Sequence, residues 1–254
     1  MENKHKERTK ATKEQAERLD YIIAEMNKLS ESYSSDSEAA YMKLGQEYSN
    51  LISEYDWLDE IFEENGKKGL KNVKGEIIIP AIYDDYCMLE PYFLKNKAVG
   101  AKLNGKMALV MRNGKGTPIT EFEFKYIEPI TFTQIYAVWK EEDNKHFALM
   151  EAGKVITPYE LEGYDTPCDG AIILTANGKK GMLLFEQYEP TYIRPEYDEI
   201  YDDGCGSLFT FIKDGVQGRV TLDGKFISDE EFENLSEEEQ DNLHDAGFIS
   251  AADI

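Results

Sequence analysis

The residues best suited to chemistry in this sequence are its three cysteines, which share one local pattern. Each follows a Tyr-Asp pair after two intervening residues, at Cys87, Cys168 and Cys205. Brought together, three thiolates would favour zinc or copper(I). The alternative is a small core residue inherited by duplication of a repeat. Because the sequence has no CxxC motif and no Cys/His pair, we favour the core role and expect no metal and no cofactor.

Imidazole and carboxylate groups do not form a recognisable catalytic motif. The histidines are His5, His146 and His244, and none accompanies a nucleophile. The Asp of each Tyr-Asp pair is interpreted as a turn former that accepts a hydrogen bond from the backbone N–H two residues on. Carboxylates are abundant, with 50 Asp and Glu residues. Two of them that lie close together in the fold and catalyse hydrolysis as acid and base are therefore an open alternative.

The elements that would position these groups belong to a recurring unit, first seen from Asn65 to Asp84. Asn-Gly and similar pairs, typical of tight hairpin turns, recur until about Lys225. Four positions after the first residue of each turn pair lies a tiny residue: Gly69, Ala108, Ala148, Gly181 and Gly218. A recurring tiny residue indicates that another backbone or a large side chain packs closely against it. A proline follows most units, at Pro80, Pro118, Pro158 and Pro195. Because proline has no N–H to donate, we expect each of them to end a strand.

Within this unit, the stretch from Gly69 to Asp84 resembles the WG-repeat family, also called KWG. It has a glycine, a hydrophobic strand, a second glycine, an Ile-rich strand, a proline and Tyr-Asp in the family's order. Pro195 to Ile200 repeats the end of that pattern, and the resemblance covers about Asn65 to Lys225. The family's signature tryptophan is replaced by Lys68, Met107, Phe147, Lys180 and Gln217. The resemblance implies a β-rich repeat array and supplies no active site.

The predicted fold is therefore mainly β, with about four and a half WG-like β-meander repeats. Each full unit of about 40 residues has room for about four short strands, which is also the size of a propeller blade. In the first unit we expect strands at Lys68–Asn72, Glu76–Ile79, Asp85–Leu89 and Ala98–Leu103. The sequence leaves open whether the units form an open solenoid or a propeller-like ring.

Three domains follow: a helical hairpin over residues 1–64, the repeats over 65–227 and an acidic helical cap over 228–254. In the hairpin, apolar residues recur at helical spacing from about Thr12 to Tyr33 and from Tyr41 through Leu58 to Phe62. We interpret the hairpin as a cap on the first repeat, with self-association or partner binding through these helices as the alternative. The capping-box spacings that would begin helices are Thr12/Gln15, Ser35/Glu38, Ser228/Glu231 and Ser236/Glu239.

The net charge of −22 is concentrated at the two ends of the chain. Residues 1–64 hold 8 basic and 16 acidic side chains, and residues 228–254 hold 10 acidic side chains and no Lys or Arg. This distribution disfavours nucleic acids and anionic membranes and suits a basic protein partner. Because the chain starts with no apolar segment of signal-peptide or membrane-spanning length, and three cysteines do not suggest a disulfide framework, we expect a cytoplasmic protein.

Loops that depart from the repeat are where partner contacts are expected. The first unit has extra residues that include Tyr92 and Phe93, and the second carries Trp139 before a charged turn. Aromatic side chains on loops are common interface anchors. Tyr92, Phe93 and Trp139 are therefore the predicted partner-binding positions, and a place in the core is the alternative for each.

The sequence favours a non-enzymatic protein-interaction module, a β-repeat scaffold with acidic helical flanks. A narrower hypothesis is an acidic inhibitor or immunity-type protein that covers a basic partner. The alternative function is a hydrolase-like enzyme that uses carboxylates gathered on the repeat scaffold.

Overall fold

In its computed structural model, the chain divides into two parts by its internal contacts, Met1–Thr131 and Phe132–Ile254. From here on, these two parts, and not the predicted repeats, are called the first and the second unit. The structure describes residues 8–30, 35–87, 89, 91–92, 97–130, 134–140, 145–168, 171–184, 190–201, 209–221, 224–236 and 238–240. Within these residues the fold is mainly β, as predicted, with several small antiparallel sheets and two helices near the N-terminus.

The first unit begins with the two predicted helices, α1 (Lys13–Ser30) and α2 (Ser35–Glu54). The predicted capping box starts α1, because the Thr12 N–H donates to Gln15 Oε1 at 2.7 Å and the Gln15 N–H donates to Thr12 Oγ1 at 3.3 Å. The buried face of α1 consists of Ala16, Leu19 and Ile22. Each capping bond pairs a backbone N–H that the first helical turn leaves without an intrahelical partner.

The second helix is shorter than predicted, because the chain leaves it after Glu54. Trp57 is 3% exposed and packs with residues of α1, and its indole N–H donates to the Leu51 carbonyl oxygen at 3.1 Å. Burying this ring among the helices turns the chain away from the helix axis. The expectation that Leu58 and Phe62 are helical was therefore wrong.

Strands begin where that helical pattern was expected to continue. The next residues form β2 (Tyr55–Asp56), which pairs in parallel with β1 (Thr9–Lys10). Phe62 then lies in β3 (Glu60–Glu64), which pairs with β4 (Lys67–Lys71) across the Asn65-Gly66 turn. The first sheet thus starts inside the segment predicted as the helical hairpin.

The next strands of the first unit are β5 (Ile77–Tyr83), β6 (Asp85–Tyr86), β7 (Ala98–Leu103), β8 (Lys106–Met111) and β9 (Tyr126–Pro129). The strands from β3 to β8 form two three-stranded antiparallel sheets, with the strand orders β3-β4-β5 and β6-β7-β8. The strand predicted at Ala98–Leu103 is confirmed in full. The one predicted at Asp85–Leu89 is described as a strand only in β6.

The second unit is built from antiparallel meanders of consecutive strands. Its first six strands are β10 (Ile135–Trp139), β11 (Ala148–Glu151), β12 (Lys154–Val155), β13 (Gly163–Cys168), β14 (Ala171–Ala176) and β15 (Lys179–Leu184). The others are β16 (Thr191–Tyr197), β17 (Glu199–Tyr201), β18 (Thr210–Lys213), β19 (Val216–Val220) and β20 (Phe226–Ser228), and a short helix, α3 (Asp229–Glu233), follows them. Strands β10, β11 and β12 pair in that order, and the later strands form the sheets β13-β14-β15-β16 and β17-β18-β19-β20.

Tight hairpins join neighbouring strands at four of the predicted turn pairs. Both central residues have positive φ at Asn65-Gly66 (52° and 74°), Asn104-Gly105 (52° and 83°), Asn177-Gly178 (51° and 71°) and Asp214-Gly215 (53° and 77°). Positive φ at both positions defines the type I′ turn, whose twist matches that of a hairpin. The predicted turn residue Asn144 lies outside the described residues, and Ala152-Gly153, which was not predicted, has the same conformation (48° and 87°).

The recurring tiny residues lie where a neighbouring strand approaches closely. A Cβ added at Gly181 would lie 2.5 Å from the Ile193 carbonyl oxygen, and one added at Gly69 would lie 2.8 Å from the Ala81 nitrogen. At Gly218 it would meet the Ile227 carbonyl oxygen. No side chain fits at such distances, so the close packing predicted at these glycines is confirmed. The other two tiny residues, Ala108 and Ala148, are fully buried.

The prolines at 80 and 195 lie inside strands, which corrects the expectation that they end them. In each case three residues oppose one glycine across the sheet, residues 80–82 facing Gly69 and residues 194–196 facing Gly181. This irregularity is a β-bulge, where a residue does not need its N–H for the ladder. Proline is therefore tolerated there, and the bulge brings the backbone against the glycine.

Candidate protein-binding surface

The predicted chemical residues do not form a centre in the described part of the chain. Cys87 is buried and packs against Gly100. Cys205 lies outside the described residues, and Cys168 contributes its backbone to β13. His146 is exposed, and its Nε2 lies 3.7 Å from Glu162 Oε1, while the other two histidines are outside the described residues. Among the residues described, no group of three or more His, Cys, Asp or Glu side chains could hold a metal ion.

One carboxylate is deeply buried, and it forms an ion pair. Asp59, which is 5% exposed, accepts a hydrogen bond from Arg112 Nη2 through Oδ2. Its Oδ1 is buried and has no hydrogen-bond partner among the described residues. Burial raises the pKa of Asp59, although the Arg112 charge opposes this. In the part of the chain that the structure describes, Asp59 is the one buried acid, so a second carboxylate for hydrolysis does not accompany it there.

The Asp of the first Tyr-Asp pair joins two sheets. Asp84 Oδ1 accepts from Lys67 Nζ at 2.5 Å, and Asp84 Oδ2 accepts from the Asn104 N–H at 2.7 Å. Lys67 begins β4, and Asn104 lies in the turn between β7 and β8. Asp84 therefore bridges consecutive hairpins. The sequence had suggested instead that it accepts from the N–H two residues on, within a local turn. The Lys67 ammonium and then the Asn104 N–H lower the pKa of Asp84.

The same bridge recurs in the second unit. Asp198 Oδ1 accepts from Lys179 Nζ at 2.5 Å, and Asp198 Oδ2 accepts from the Gly215 N–H in the next hairpin turn at 3.1 Å. Glu162 accepts from the Asn177 N–H at 3.0 Å, and its other oxygen faces His146. In all three bridges the basic residue, Lys67, His146 or Lys179, lies two positions before one of the recurring tiny residues. Asp84, Glu162 and Asp198 are named the bridging carboxylates below.

The two bridging aspartates are expected to make the fold sensitive to acid. Their pKa values are lowered by the neighbouring lysine and the backbone N–H. Each therefore stabilises the fold above the usual Asp pKa of about 3.9, and this contribution is lost as the pH falls through the lowered value. Asp84→Asn with Asp198→Asn should lower the melting temperature by a few degrees at pH 7, and the difference from wild type should shrink at pH 3.

Calorimetry across this pH range checks the prediction, with Asp165→Asn as the matched control. Asp165 also follows a tyrosine, but its Oδ1 accepts from the adjacent Thr166 N–H at 2.8 Å and does not reach the next hairpin through that bond. A pH-independent difference between the double variant and wild type, or an equal loss in the control, would contradict the role given to the bridges.

Tyr92, a predicted partner-binding position, is partly buried against the helices. Its hydroxyl donates to Asp20 Oδ2 at 2.8 Å, and its N–H donates to the Trp57 carbonyl oxygen at 2.8 Å. Lys74 Nζ lies 2.6 Å from Asp20 Oδ2 and 5.7 Å from the centre of the Tyr92 ring. These contacts attach α1 to the turn between β4 and β5. They agree with the interpretation of the hairpin as a cap on the first sheet.

The other two predicted positions are placed differently. Phe93 lies outside the described residues. Trp139 ends β10 and is partly buried, with its ring centre 5.1 Å from that of Phe147. Phe147 contacts Tyr164 in turn at 5.9 Å. Tyr92 and Trp139 thus both have packing partners within the chain, and partner binding by any of the three residues stays a prediction.

A groove that the sequence did not predict lies next to α3, and we call it the C-terminal groove. It has a volume of about 550 Å³, and its apolar floor is formed by Phe226, Ile227 and Leu235. Its rim carries Glu231, Asn234 and Glu239, with one base, Lys225. A spacing pattern could not have revealed it, because the floor residues come from a strand and a turn that face each other only in the folded chain.

Serine residues hold the two rim glutamates in place. The Ser228 N–H and Oγ both donate to Glu231 Oε2, at 3.0 and 2.8 Å, and the Ser236 N–H and Oγ donate to Glu239 Oε2, at 3.0 and 2.7 Å. The two predicted capping boxes are confirmed. These hydrogen bonds lower the pKa of both glutamates, so both are charged at neutral pH.

None of the helices in the described part of the chain combines the length and the apolar character needed to cross a membrane. A second depression, of about 440 Å³, lies beside β2 and is lined by Ile52, Tyr55, Trp57, Leu58 and Pro91, with Arg8 and Asp56.

Comparison with protein-family models and with curated proteins found no match for this chain.

Proposed function

We propose that this chain is a non-catalytic protein-binding module, a WG-like array of β-meanders with helical ends, and that its partner is a basic protein. The observation that carries the proposal is the exposed acidic surface around α3. Glu230, Glu233 and Glu238 are exposed there, beside the two rim glutamates. No Lys or Arg occurs from residue 228 to the end of the sequence.

The repeat arrangement is supported by features that recur in register. In both units of the chain, a type I′ turn is followed by a tiny residue at the third position of the next strand and then by a bridging carboxylate. These are Asn65-Gly66, Gly69 and Asp84 in the first unit and Asn177-Gly178, Gly181 and Asp198 in the second. Gly69 and Gly181 face the same kind of bulge, in which a proline takes part. Contacts that repeat at one sequence phase are what duplication of a single supersecondary element would produce.

The charge distribution supports the choice of partner. Acidic groups on one surface attract a basic protein from a distance and accelerate its association, and they repel nucleic acids and anionic membranes. An inhibitor or immunity-type protein that covers a basic surface is the narrower form of this proposal. Such a complex weakens as salt screens the charges, because the Debye length falls from about 10 Å at 0.1 M to about 3 Å at 1 M.

Affinity capture with the full chain tests the proposed function. The immobilised protein is exposed to a nuclease-treated lysate at about 0.05 M salt and eluted with about 1 M salt. We expect a basic protein that binds at low salt and is released at high salt. The absence of any stable partner, together with a monomeric chain on size-exclusion chromatography, would contradict an interaction module. A partner retained at high salt would contradict the electrostatic mechanism.

A further inference from the structure

We infer that the C-terminal groove is the docking site for a basic, amphipathic segment of the partner protein. The inference rests on the proposed function and adds to it the site and the chemistry of the segment. The groove combines an apolar floor with acidic rims, and its volume of about 550 Å³ is within the range of about 300–1,000 Å³ found for ligand-binding clefts.

The walls of the groove are held by contacts outside it. Gln217 Nε2 donates to Asp229 Oδ2 at 2.9 Å, and the Arg219 guanidinium lies 4.6 Å from the centre of the Phe232 ring, so α3 is attached to β19. Gln240 Nε2 donates to the Phe232 and Leu235 carbonyl oxygens, at 3.0 and 3.3 Å. These bonds fix the far wall. A segment that enters the groove therefore meets a surface that is already formed, which lowers the entropy cost of binding.

The floor and the rim define what can bind. Phe226 and Leu235 are only partly buried, so apolar side chains of a ligand can cover them. The capping bonds of Glu231 and Glu239 use Oε2. No hydrogen bond to Oε1 of either carboxylate occurs among the residues that the structure describes, so each Oε1 can accept from a Lys or Arg of the ligand. A ligand segment therefore needs apolar side chains for the floor and Lys or Arg for the rim. Apolar residues flanked by Lys or Arg, at helical or alternating spacing, provide both.

The chain's own C-terminal residues are the competing occupant. Phe248 and Ile249 could supply apolar side chains, but residues 241–254 also carry Asp241, Asp245 and Asp253 and no Lys or Arg. Like charges would then face the acidic rim, whereas a basic segment is complementary to it. Charge complementarity therefore favours a segment from a partner.

The test uses full-length protein and a labelled synthetic helical peptide of leucine and lysine. The dissociation constant is measured by fluorescence anisotropy. A peptide with glutamate in place of lysine and one with serine in place of leucine serve as comparison probes. We expect the leucine–lysine peptide to bind at least about tenfold more tightly than either comparison probe, because only it matches both floor and rim.

Charge-only variants locate the binding site. Glu231→Gln with Glu239→Gln removes both rim charges, yet glutamine can still accept the capping hydrogen bonds, so the melting temperature should change little. We expect this variant to bind the peptide about tenfold more weakly. The matched control, Glu14→Gln with Glu17→Gln at two exposed positions near the start of α1, should change binding less than about twofold. Leu235→Asn should weaken binding by about three- to tenfold.

Equal loss in the rim and control variants would overturn the inference, since the peptide would then respond only to net charge. Tighter binding by Phe248→Ser with Ile249→Ser would also overturn it, because the chain's own end would then occupy the groove. The captured partner separates this inference from the proposed function. If the partner binds the rim variant as tightly as wild type, the docking site is wrong and the interaction module stands.

Discussion

Replacing Gly181 with alanine is expected to lower the free energy of unfolding by about 3 kcal/mol. The added methyl group would lie 2.5 Å from the Ile193 carbonyl oxygen and 2.6 Å from the Pro195 nitrogen. Both are backbone atoms of the bulge in β16, so no side chain can rotate away to make room. The strand must shift, and the pairing of β15 with β16 is disturbed.

Urea unfolding measures this loss, and the same sheet provides the control. At Gly163, in β13, the nearest atom to an added Cβ is Thr175 Cβ at 3.9 Å, an ordinary contact, so Gly163→Ala should stay within about 0.5 kcal/mol of wild type. Gly218→Ala should resemble Gly181→Ala, since its Cβ would lie 2.8 Å from Ser228 Cα. A Gly181→Ala protein as stable as the Gly163→Ala protein would show that the tiny residues do not mark close approach.

Replacing Arg112 with methionine is expected to cost about 3–5 kcal/mol at pH 7. The side chains of Arg112 and Asp59 are 10% and 3% exposed, so the substitution leaves the Asp59 carboxylate buried without its counter-charge. Without Arg112 the pKa of Asp59 rises further above the value in the unfolded chain. Protonation in the folded state then offsets part of the loss, so the penalty should shrink as the pH falls from 7 to 5.

Urea unfolding at several pH values tests this second prediction. Lys13→Met is the control, because Lys13 and Glu17 form a pair at 3.9 Å with side chains 68% and 58% exposed, and such pairs contribute up to about 1 kcal/mol. Adding Asp59→Asn to the Arg112→Met variant should recover part of the loss at pH 7 and remove its pH dependence. A small, pH-independent effect of Arg112→Met would mean that water reaches the pair.

Features that depend on local chemistry could be predicted from the sequence. The Asn65-Gly66 and Asp214-Gly215 turns follow from the residues that tolerate positive φ, and the capping boxes of Thr12 and Ser228 follow from spacing alone. The tiny residues at 69, 181 and 218 indicated close approach correctly. What approaches them was not foreseen, since a bulge with a proline in it depends on strand register.

Features that depend on contacts between residues far apart in the chain could not be predicted from the sequence. Asp84 bonds an N–H 20 residues away and Asp198 one 17 residues away, so the Tyr-Asp pair suggested only a local turn. The apolar spacing continued to Phe62, past the end of α2 at Glu54, because spacing alone does not show that burial of the Trp57 ring turns the chain before β3 begins at Glu60. The C-terminal groove was missed for the same reason, since Phe226 and Leu235 meet only after β20 and α3 have packed.

Hydrogen exchange of the full chain with and without the captured basic partner tests the central claim most directly. The account predicts slower amide exchange from Phe226 to Gln240 in the complex, with β14 and β15 unchanged because their amides are already paired in a buried sheet. A complex that slows exchange around Tyr92 or Trp139 and leaves Phe226 to Gln240 unchanged would contradict it.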